Sequence, residues 1–179
     1  MKLKTILGRI VHGLIDGIVT SFGAILGAAT TGSSSVVVIT GLATAVSCAI
    51  ADVTSIYSSL EADLLAEYDS LGDMMNVDKD SIKKSWVYLN KRKQLYKLTA
   101  SDGLATFIGG VLPVSPFLFF PVKTAVPYLI PLTTISLFVL GWLVAKETRE
   151  NPIALSIKSA IIGLSAFTIT YLITKSFPI

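Results

Sequence analysis

Five long apolar segments constrain the fold of this chain more than any other feature. They run over residues 10–31, 36–58, 103–120, 125–145 and 153–174. A membrane span needs roughly 20 mostly apolar residues, and lipid offers no partner for open backbone groups, so each segment is predicted to be a transmembrane helix. The composition agrees, because 52% of the residues are hydrophobic and 15% are charged, against about 25% charged in soluble domains. We therefore predict an all-α integral membrane protein with five transmembrane helices.

The basic residues predict how these helices are oriented. Every Lys and Arg except Lys123 and Lys175 precedes the first span, lies between the second and third, or lies near the link between the fourth and fifth. By the positive-inside rule this side is cytoplasmic. The sequence thus predicts a multi-pass protein whose N-terminus is cytoplasmic and whose C-terminus is on the outer or lumenal side. Asp16 within the first apolar segment argues against a cleaved signal peptide.

Residues 59–101 form the one sizeable polar segment, and it is predicted to be a cytoplasmic helical hairpin. Its first part, Ser59 to Met75, is acidic, and its second, Asp80 to Leu98, is basic and aromatic. The second span is expected to continue into the first part, and Asp78 or Asp80 to cap the second. The predicted organisation is one membrane domain, with helices 1 and 2 in 1–58, the hairpin in 59–101 and helices 3–5 in 102–179.

The acidic part of this segment has two interpretations. Glu61, Asp63 and Glu67 form a solvated face, or they hold a divalent cation transiently, since Asp63 and Glu67 are four residues apart and share a helix face. The basic run at 91–93 fits membrane topology and anionic lipid better than nucleic acid, so no nucleic-acid partner is predicted.

A motif of the form D-G-Φ-x-T-x-x-G, with Φ apolar, occurs twice. The copies are residues 16–23 and 102–109, which are 86 positions apart. Each brings an acid to a membrane segment, where a charge costs about 2.5–3.5 kcal/mol at the helix centre. With Asp52, these acids all fall in the cytoplasmic half of the predicted topology. A bound divalent cation neutralises such carboxylates, and protons that replace it offer a route to coupling.

Neighbouring residues refine this predicted site. Cys48 lies one turn before Asp52, so it is either a sulfur ligand that favours a transition metal or a small buried hydrophobe. His12 lies one turn before Asp16 and is a ligand or an interfacial polar residue. Asp102 follows Ser101 at the expected start of a helix, so it is an N-cap, an ion ligand or both, since capping and ion access are compatible there. Asp16 has helical sequence on both sides and is the stronger candidate ligand.

These motifs together resemble the vacuolar iron transporter family. The similar segments are Asp16-Gly-x-x-Thr, the run from Asp52 through residues 55–63, and the run Gly-Gly-Val-Leu-Pro-Val-Ser-Pro at 109–116. The resemblance implies a homodimer that moves ferrous iron or manganese out of the cytosol against protons. It assigns the family's first-span aspartate to Asp16, its second-span methionine to Cys48 and its second-span glutamate to Asp52.

The resemblance also matches an acidic pair of the family to Glu61 and Asp63. The polar segment here is short and ends in a basic helix, so the chain resembles a short form with a reduced cytoplasmic metal-binding insertion.

The predicted function is therefore a divalent transition-metal transporter. Its predicted metal ligands are Asp16, Cys48, Asp52, Asp102, Glu61, Asp63 and Glu67. Its expected partners are the ion, protons, membrane lipid and a second copy, with Fe²⁺ or Mn²⁺ as cargo and no permanently bound cofactor. The alternative is a membrane assembly or interaction protein whose acids are structural. An enzyme is not predicted, because the sequence shows no nucleophile–base pair, zinc motif or phosphate loop.

Overall fold

A computed structural model describes residues 3–76, 78–148 and 151–176. All regular structure in these ranges is helical: α1 (Leu3–Ala29), α2 (Ser34–Met75), α3 (Lys79–Lys83), α4 (Trp86–Val111), a 3-10 turn (Leu112–Val114), α5 (Ser115–Phe119), α6 (Val122–Thr148) and α7 (Pro152–Ser176). The predictions that used Lys2, Val77 and Arg149 lie outside the described residues, and the capping expected of Asp80 concerns a side chain that is likewise not described.

Five helical segments are long and apolar enough to cross a membrane. They are Ile6–Ala29, Ser34–Met75, Trp86–Phe119, Val122–Lys146 and Pro152–Ser176. Each contains or overlaps one of the apolar segments of the sequence, so the prediction of an all-α protein with five candidate membrane-spanning helices is confirmed, while the cytoplasmic helical hairpin stays a prediction. The side of the membrane on which each end lies remains a prediction.

The second span continues without a break into the acidic segment, as expected, because α2 is 42 residues long. It ends where Asn76 adopts a left-handed conformation with φ 51° and donates its backbone N–H to the carbonyl of Gly72. Asn tolerates this conformation better than most residues. The hydrogen bond from its backbone N–H satisfies one of the carbonyls left open at the helix end. The predicted break in the polar segment therefore coincides with a helix C-cap.

The start of the basic helix differs from the prediction. Asp78 accepts a hydrogen bond from the backbone N–H of Ser81 at 3.3 Å, but this caps the five-residue α3 and not the long helix. The long helix α4 begins one turn later, where Ser85 accepts from the backbone N–H of Tyr88 at 3.2 Å. The prediction that Asp78 caps the long basic helix was therefore wrong, since Asp78 caps a separate helical turn that precedes it.

The helix that contains the third span does not begin at Ser101 or Asp102. Helix α4 runs from Trp86 to Val111 and passes through both residues. Inside a helix the backbone N–H groups already bond to carbonyls four residues earlier, so Asp102 has no open helix end to cap. The expectation that Asp102 opens a helix was wrong. The break expected at Pro113 and Pro116 is present, as a 3-10 turn and then the short α5, which follows from the missing proline N–H.

Helix α1 lies in the middle of the bundle and packs against α2, α4, α6 and α7. One apolar cluster surrounds its C-terminal half. There Phe22 and Ile25 pack with buried residues of α2, the 3-10 turn, α5 and α6. A second cluster joins Val11 and Ile18 of α1 to Leu137 of α6. The helix that carries the first motif copy is therefore held from several sides, which sets the position of Asp16.

Candidate metal-transport site

Helices α1 and α4 approach each other through glycines at and beside the two motif copies. A Cβ added to Gly13 would lie 2.9 Å from Oγ1 of Thr106, and one added to Gly17 would lie 2.7 Å from the backbone nitrogen of Gly110. Gly109 faces the backbone of Leu14 in the same way. Small residues at such a crossing let two backbones come close in a membrane. We call Gly13, Gly17, Gly109 and Gly110 the glycine contact.

Three acids from three helices lie near the glycine contact: Asp16 of α1, Asp102 of α4 and, through its hydrogen bond with Thr106, Asp52 of α2. The carboxyls of Asp16 and Asp52 interact electrostatically with each other. The carboxyl of Asp102 interacts electrostatically with both. We call these three side chains the carboxylate group. Like charges so close together repel unless a proton or a cation neutralises them.

Asp102 is the most enclosed member of the carboxylate group. Its side chain is 0% exposed, and neither of its carboxyl oxygens has a hydrogen-bond partner. A basic side chain beside it is His12 of α1, whose Nδ1 lies 3.7 Å from Oδ1 of Asp102 and whose side chain is 63% exposed. A buried carboxylate is costly unless it is paired or bound. Asp102 is therefore the member of the group that most requires a ligand.

The side chains of the other two members, Asp16 and Asp52, are less enclosed. Both are half-buried. The sequence favoured Asp16 over Asp102 as a ligand, whereas the structure buries Asp102 more deeply. That difference follows from α4, which carries Asp102 into the bundle as part of an uninterrupted helix.

Thr106 belongs to this site although the sequence analysis did not single it out. Its Oγ1 donates to Oδ2 of Asp52 at 2.5 Å, and it is fully buried. The one sequence signal for it is its place in the repeated motif, four residues after Asp102. Thr20 holds the same place after Asp16, so the motif alone does not distinguish the two threonines.

Cys48 is a free, half-buried cysteine on α2, one turn before Asp52. Within the residues that the structure describes, no three His, Cys, Asp or Glu side chains are arranged to hold a metal ion. The carboxylate group is therefore not a preformed three-ligand metal site, and the assignments of Asp16, Asp52, Asp102 and Cys48 as metal ligands stay predictions.

The acids of the polar segment lie apart from the carboxylate group, and two of them have basic partners on α4. Oε1 of Glu61 accepts from Nη2 of Arg92 at 3.3 Å. Oε1 of Glu67 accepts from Nζ of Lys91 at 2.6 Å, and this hydrogen bond raises the pKa of Lys91. Asp63 is exposed. The structure thus separates Glu61, Asp63 and Glu67 from the intramembrane acids, and their metal binding stays a prediction.

An apolar cluster accompanies these ion pairs. It joins Leu64 and Tyr68 of α2 to Tyr88 and Leu95 of α4, and the two tyrosine rings meet edge to face with centroids 5.1 Å apart. We call residues 59–98 the charged end of the bundle. Its contacts fix α4 against α2, and they thereby position Asp102 and Thr106 further along α4.

Residues 59–175 of this chain, more than half of its length, match the profile of the VIT family. The chain belongs to the VIT family. The resemblance predicted from the motifs is thereby confirmed, and so is the more general expectation of a multi-pass membrane protein.

Two relatives of this VIT-family protein span very different shares of it. An uncharacterized protein of Methanocaldococcus jannaschii is 30% identical over 168 residues, which cover 94% of this chain and 88% of that protein. Vacuolar iron transporter 1 of Tulipa gesneriana is 38% identical over 74 residues, or 41% of this chain and 30% of that protein. The VIT-family chain thus has a full-length relative without an assigned activity and a partial match to a protein named as an iron transporter.

Proposed function

We propose that this VIT-family protein transports a divalent transition-metal ion, Fe²⁺ or Mn²⁺, out of the cytosol in exchange for protons. The observation that carries the proposal is Asp102, a carboxylate buried in a membrane bundle with no hydrogen bond to either oxygen. The carboxyls of Asp16 and Asp52 interact electrostatically with it. The match to a protein named vacuolar iron transporter supports the class of cargo.

The chemistry of the carboxylate group suits such an ion. Carboxylate oxygens are hard ligands that bind divalent cations and neutralise them. A cation between Asp16, Asp52 and Asp102 removes the repulsion between their charges, and protons do the same after the cation leaves. The exchange of one for the other keeps the buried charge small in both states. Cys48, one turn from Asp52, adds a sulfur that favours transition metals over Mg²⁺.

The charged end is proposed to deliver ions rather than to store them. Glu61 lies nine residues beyond Asp52 on the same helix, about 13 Å along its axis. A cation bound there displaces the guanidinium of Arg92 from Glu61 or the ammonium of Lys91 from Glu67. This competition keeps binding weak, as is needed where ions are captured and passed on. The cytoplasmic position of the charged end, and a homodimeric assembly, are part of the proposal.

Transport by reconstituted protein tests the proposal. The full chain is placed in liposomes that contain a metal-quenched dye, and uptake of Mn²⁺, or of Fe²⁺ with a reductant, is followed together with the internal pH. We expect uptake that is accompanied by proton movement in the opposite direction and is abolished by Asp102→Asn. Asp78→Asn is the matched control, because it also removes one acidic charge. Asp78 caps the short α3, and Asn caps a helix as well as Asp does. Absence of uptake of both ions by the unaltered protein would overturn the proposal.

A further inference from the structure

The threonines of the two motif copies share one interaction and differ in another. Oγ1 of Thr20 donates to the backbone carbonyl of Asp16 at 2.5 Å, and Oγ1 of Thr106 lies 3.2 Å from the backbone carbonyl of Asp102. Such bonds to the carbonyl four residues earlier are ordinary for threonine in a helix. Of the two, Thr106 also contacts a side chain of another helix, since its Oγ1 is 2.5 Å from Oδ2 of Asp52.

The surroundings of Thr106 hold this second contact in place. Thr106 is 0% exposed, whereas Thr20 is exposed. The backbone of Gly13 lies against Thr106, because a Cβ added to Gly13 would come 2.9 Å from its Oγ1 and 3.0 Å from its backbone nitrogen. The hydroxyl is therefore enclosed between α1 and α2, and its rotation is limited to the acceptors already beside it.

The single proton of this hydroxyl has two acceptors within reach. The carboxyl of Asp52 is the nearer one, and a hydrogen bond to a carboxyl group in its ionised form is the stronger kind. The backbone carbonyl of Asp102 is the other. Because the carbonyl is available, the hydroxyl can release Asp52 without being left buried and unsatisfied, which would otherwise carry a full desolvation penalty.

We infer that Thr106 is a positioning residue, which holds the carboxylate of Asp52 within the carboxylate group so that Asp52 can bind the transported cation. This inference rests on the proposed function. The bond fixes one carboxylate oxygen of Asp52, and the other oxygen is the one proposed to bind the ion. When the ion draws on both oxygens, the hydroxyl proton turns to the carbonyl of Asp102, and the oxygen of Thr106 faces Asp52 and the cation with its lone pairs. Thr20 has no such part, since its contact is confined to its own helix.

Substitutions of the two threonines separate this role from a local helical one. Thr106→Val removes the hydroxyl and nearly preserves the shape of the side chain, while Thr106→Ser keeps a hydroxyl at the same position. Thr20→Val is the matched control, because it deletes the same local bond to a motif carbonyl. If the hydroxyls served only their own helices, the two valine variants would behave alike.

The measurement is the initial rate of Mn²⁺ uptake by the full chain in liposomes as a function of Mn²⁺ concentration. We expect Thr106→Val to raise KM about tenfold, which corresponds to about 1.4 kcal/mol, with the maximal rate changed less than twofold. Thr106→Ser and Thr20→Val are expected to keep KM within about twofold of the unaltered protein. Binding of Mn²⁺ to the detergent-solubilised protein, read from the paramagnetic resonance of the free ion, is expected to follow the same order.

The outcomes separate this inference from the proposed function. An unaltered protein that neither transports nor binds Mn²⁺ or Fe²⁺ overturns both. An active protein in which Thr106→Val and Thr20→Val have the same KM overturns the inference alone, and so does an active protein in which Thr106→Ser is as impaired as Thr106→Val. If Thr106→Val is not monodisperse in detergent, Thr106→Ala replaces it, and an unchanged KM in that variant overturns the inference in the same way.

Discussion

Gly17 of α1 and Gly110 of α4 lie so close that a Cβ on Gly17 would come within 2.7 Å of the backbone nitrogen of Gly110. Real Cβ atoms essentially never approach a neighbour to less than 3.0 Å. The two helices can therefore meet in this way only because position 17 lacks a side chain. Since α1 carries Asp16 and α4 carries Asp102, the spacing of the carboxylate group depends on this glycine contact.

Adding a methyl group at the glycine contact is expected to separate the helices. We predict that Gly17→Ala destabilises the bundle by about 1–3 kcal/mol, because the atoms it meets are backbone and cannot turn aside. Thermal unfolding in detergent measures the change. Gly27→Ala in the same helix is the control, since nothing lies within 4 Å of its added Cβ, and Ala favours a helix over Gly by up to about 1 kcal/mol. Equal unfolding temperatures for the two variants would contradict the importance of the contact.

Asp102 is predicted to be costly for folding and essential for transport. Its buried oxygens have no hydrogen-bond partner, so the ionised side chain loses hydration without protein bonds in return. We expect Asp102→Asn to abolish metal uptake while leaving the free energy of unfolding unchanged or raising it by about 1 kcal/mol. Uptake assays and thermal unfolding of one protein sample measure the two effects. A markedly lower unfolding temperature would show instead that Asp102 stabilises the bundle.

The aromatic cluster of the charged end is expected to hold α4 against α2. Tyr88 is 5% exposed and its ring meets that of Tyr68, so Tyr88→Ala should destabilise this end by about 3 kcal/mol. Hydrogen exchange of the backbone amides in residues 59–98 reports the loss of local protection. Leu89→Ala, at a side chain that is 47% exposed, should leave exchange nearly unchanged. Similar exchange in both variants would place the stabilising contacts elsewhere.

The ion pair between Lys91 and Glu67 gives the charged end a pH dependence at alkaline pH. The hydrogen bond to Glu67 raises the pKa of Lys91, so the folded state binds its proton more tightly than the unfolded chain. The stabilisation is fully present below the ordinary lysine pKa of about 10.4 and disappears as pH rises through the raised value. Because the Lys91 side chain is 42% exposed, solvent screening limits the contribution to less than about 1 kcal/mol.

This pH dependence is measured by comparing Lys91→Gln with the unaltered protein. We expect a slightly lower unfolding temperature for the variant at pH 8 and a smaller difference as the pH is raised above 10. Lys93→Gln is the control, because Lys93 is an exposed neighbour and carries the same charge. A difference between Lys91→Gln and the unaltered protein that persists at alkaline pH would contradict the ion pair as its source.

The arrangement of spans follows from local sequence. Apolar length predicts each membrane helix, since lipid gives the backbone no alternative partner, and Pro113 predicts the break in the third apolar segment because proline lacks an N–H. Both predictions are confirmed, as is the continuation of α2 to Met75. The chemistry of these features is contained in each segment, and no knowledge of its neighbours is needed.

The burial and the hydrogen-bond partners of the individual acids depend on how the helices pack. The residues Ser101 and Asp102 can stand at the start of a helix or inside one. In the folded protein they lie inside α4, because contacts between α2 and α4 make the basic helix continuous with the third span. Thr20 and Thr106 are equivalent in the motif, yet Thr106 meets Asp52, which is 54 residues away in the chain. Membrane helices and proline breaks follow from the residues of each segment, so the sequence alone predicts them. The burial of a side chain and the hydrogen-bond partner of a hydroxyl depend on which helices lie side by side, so only the tertiary structure shows them.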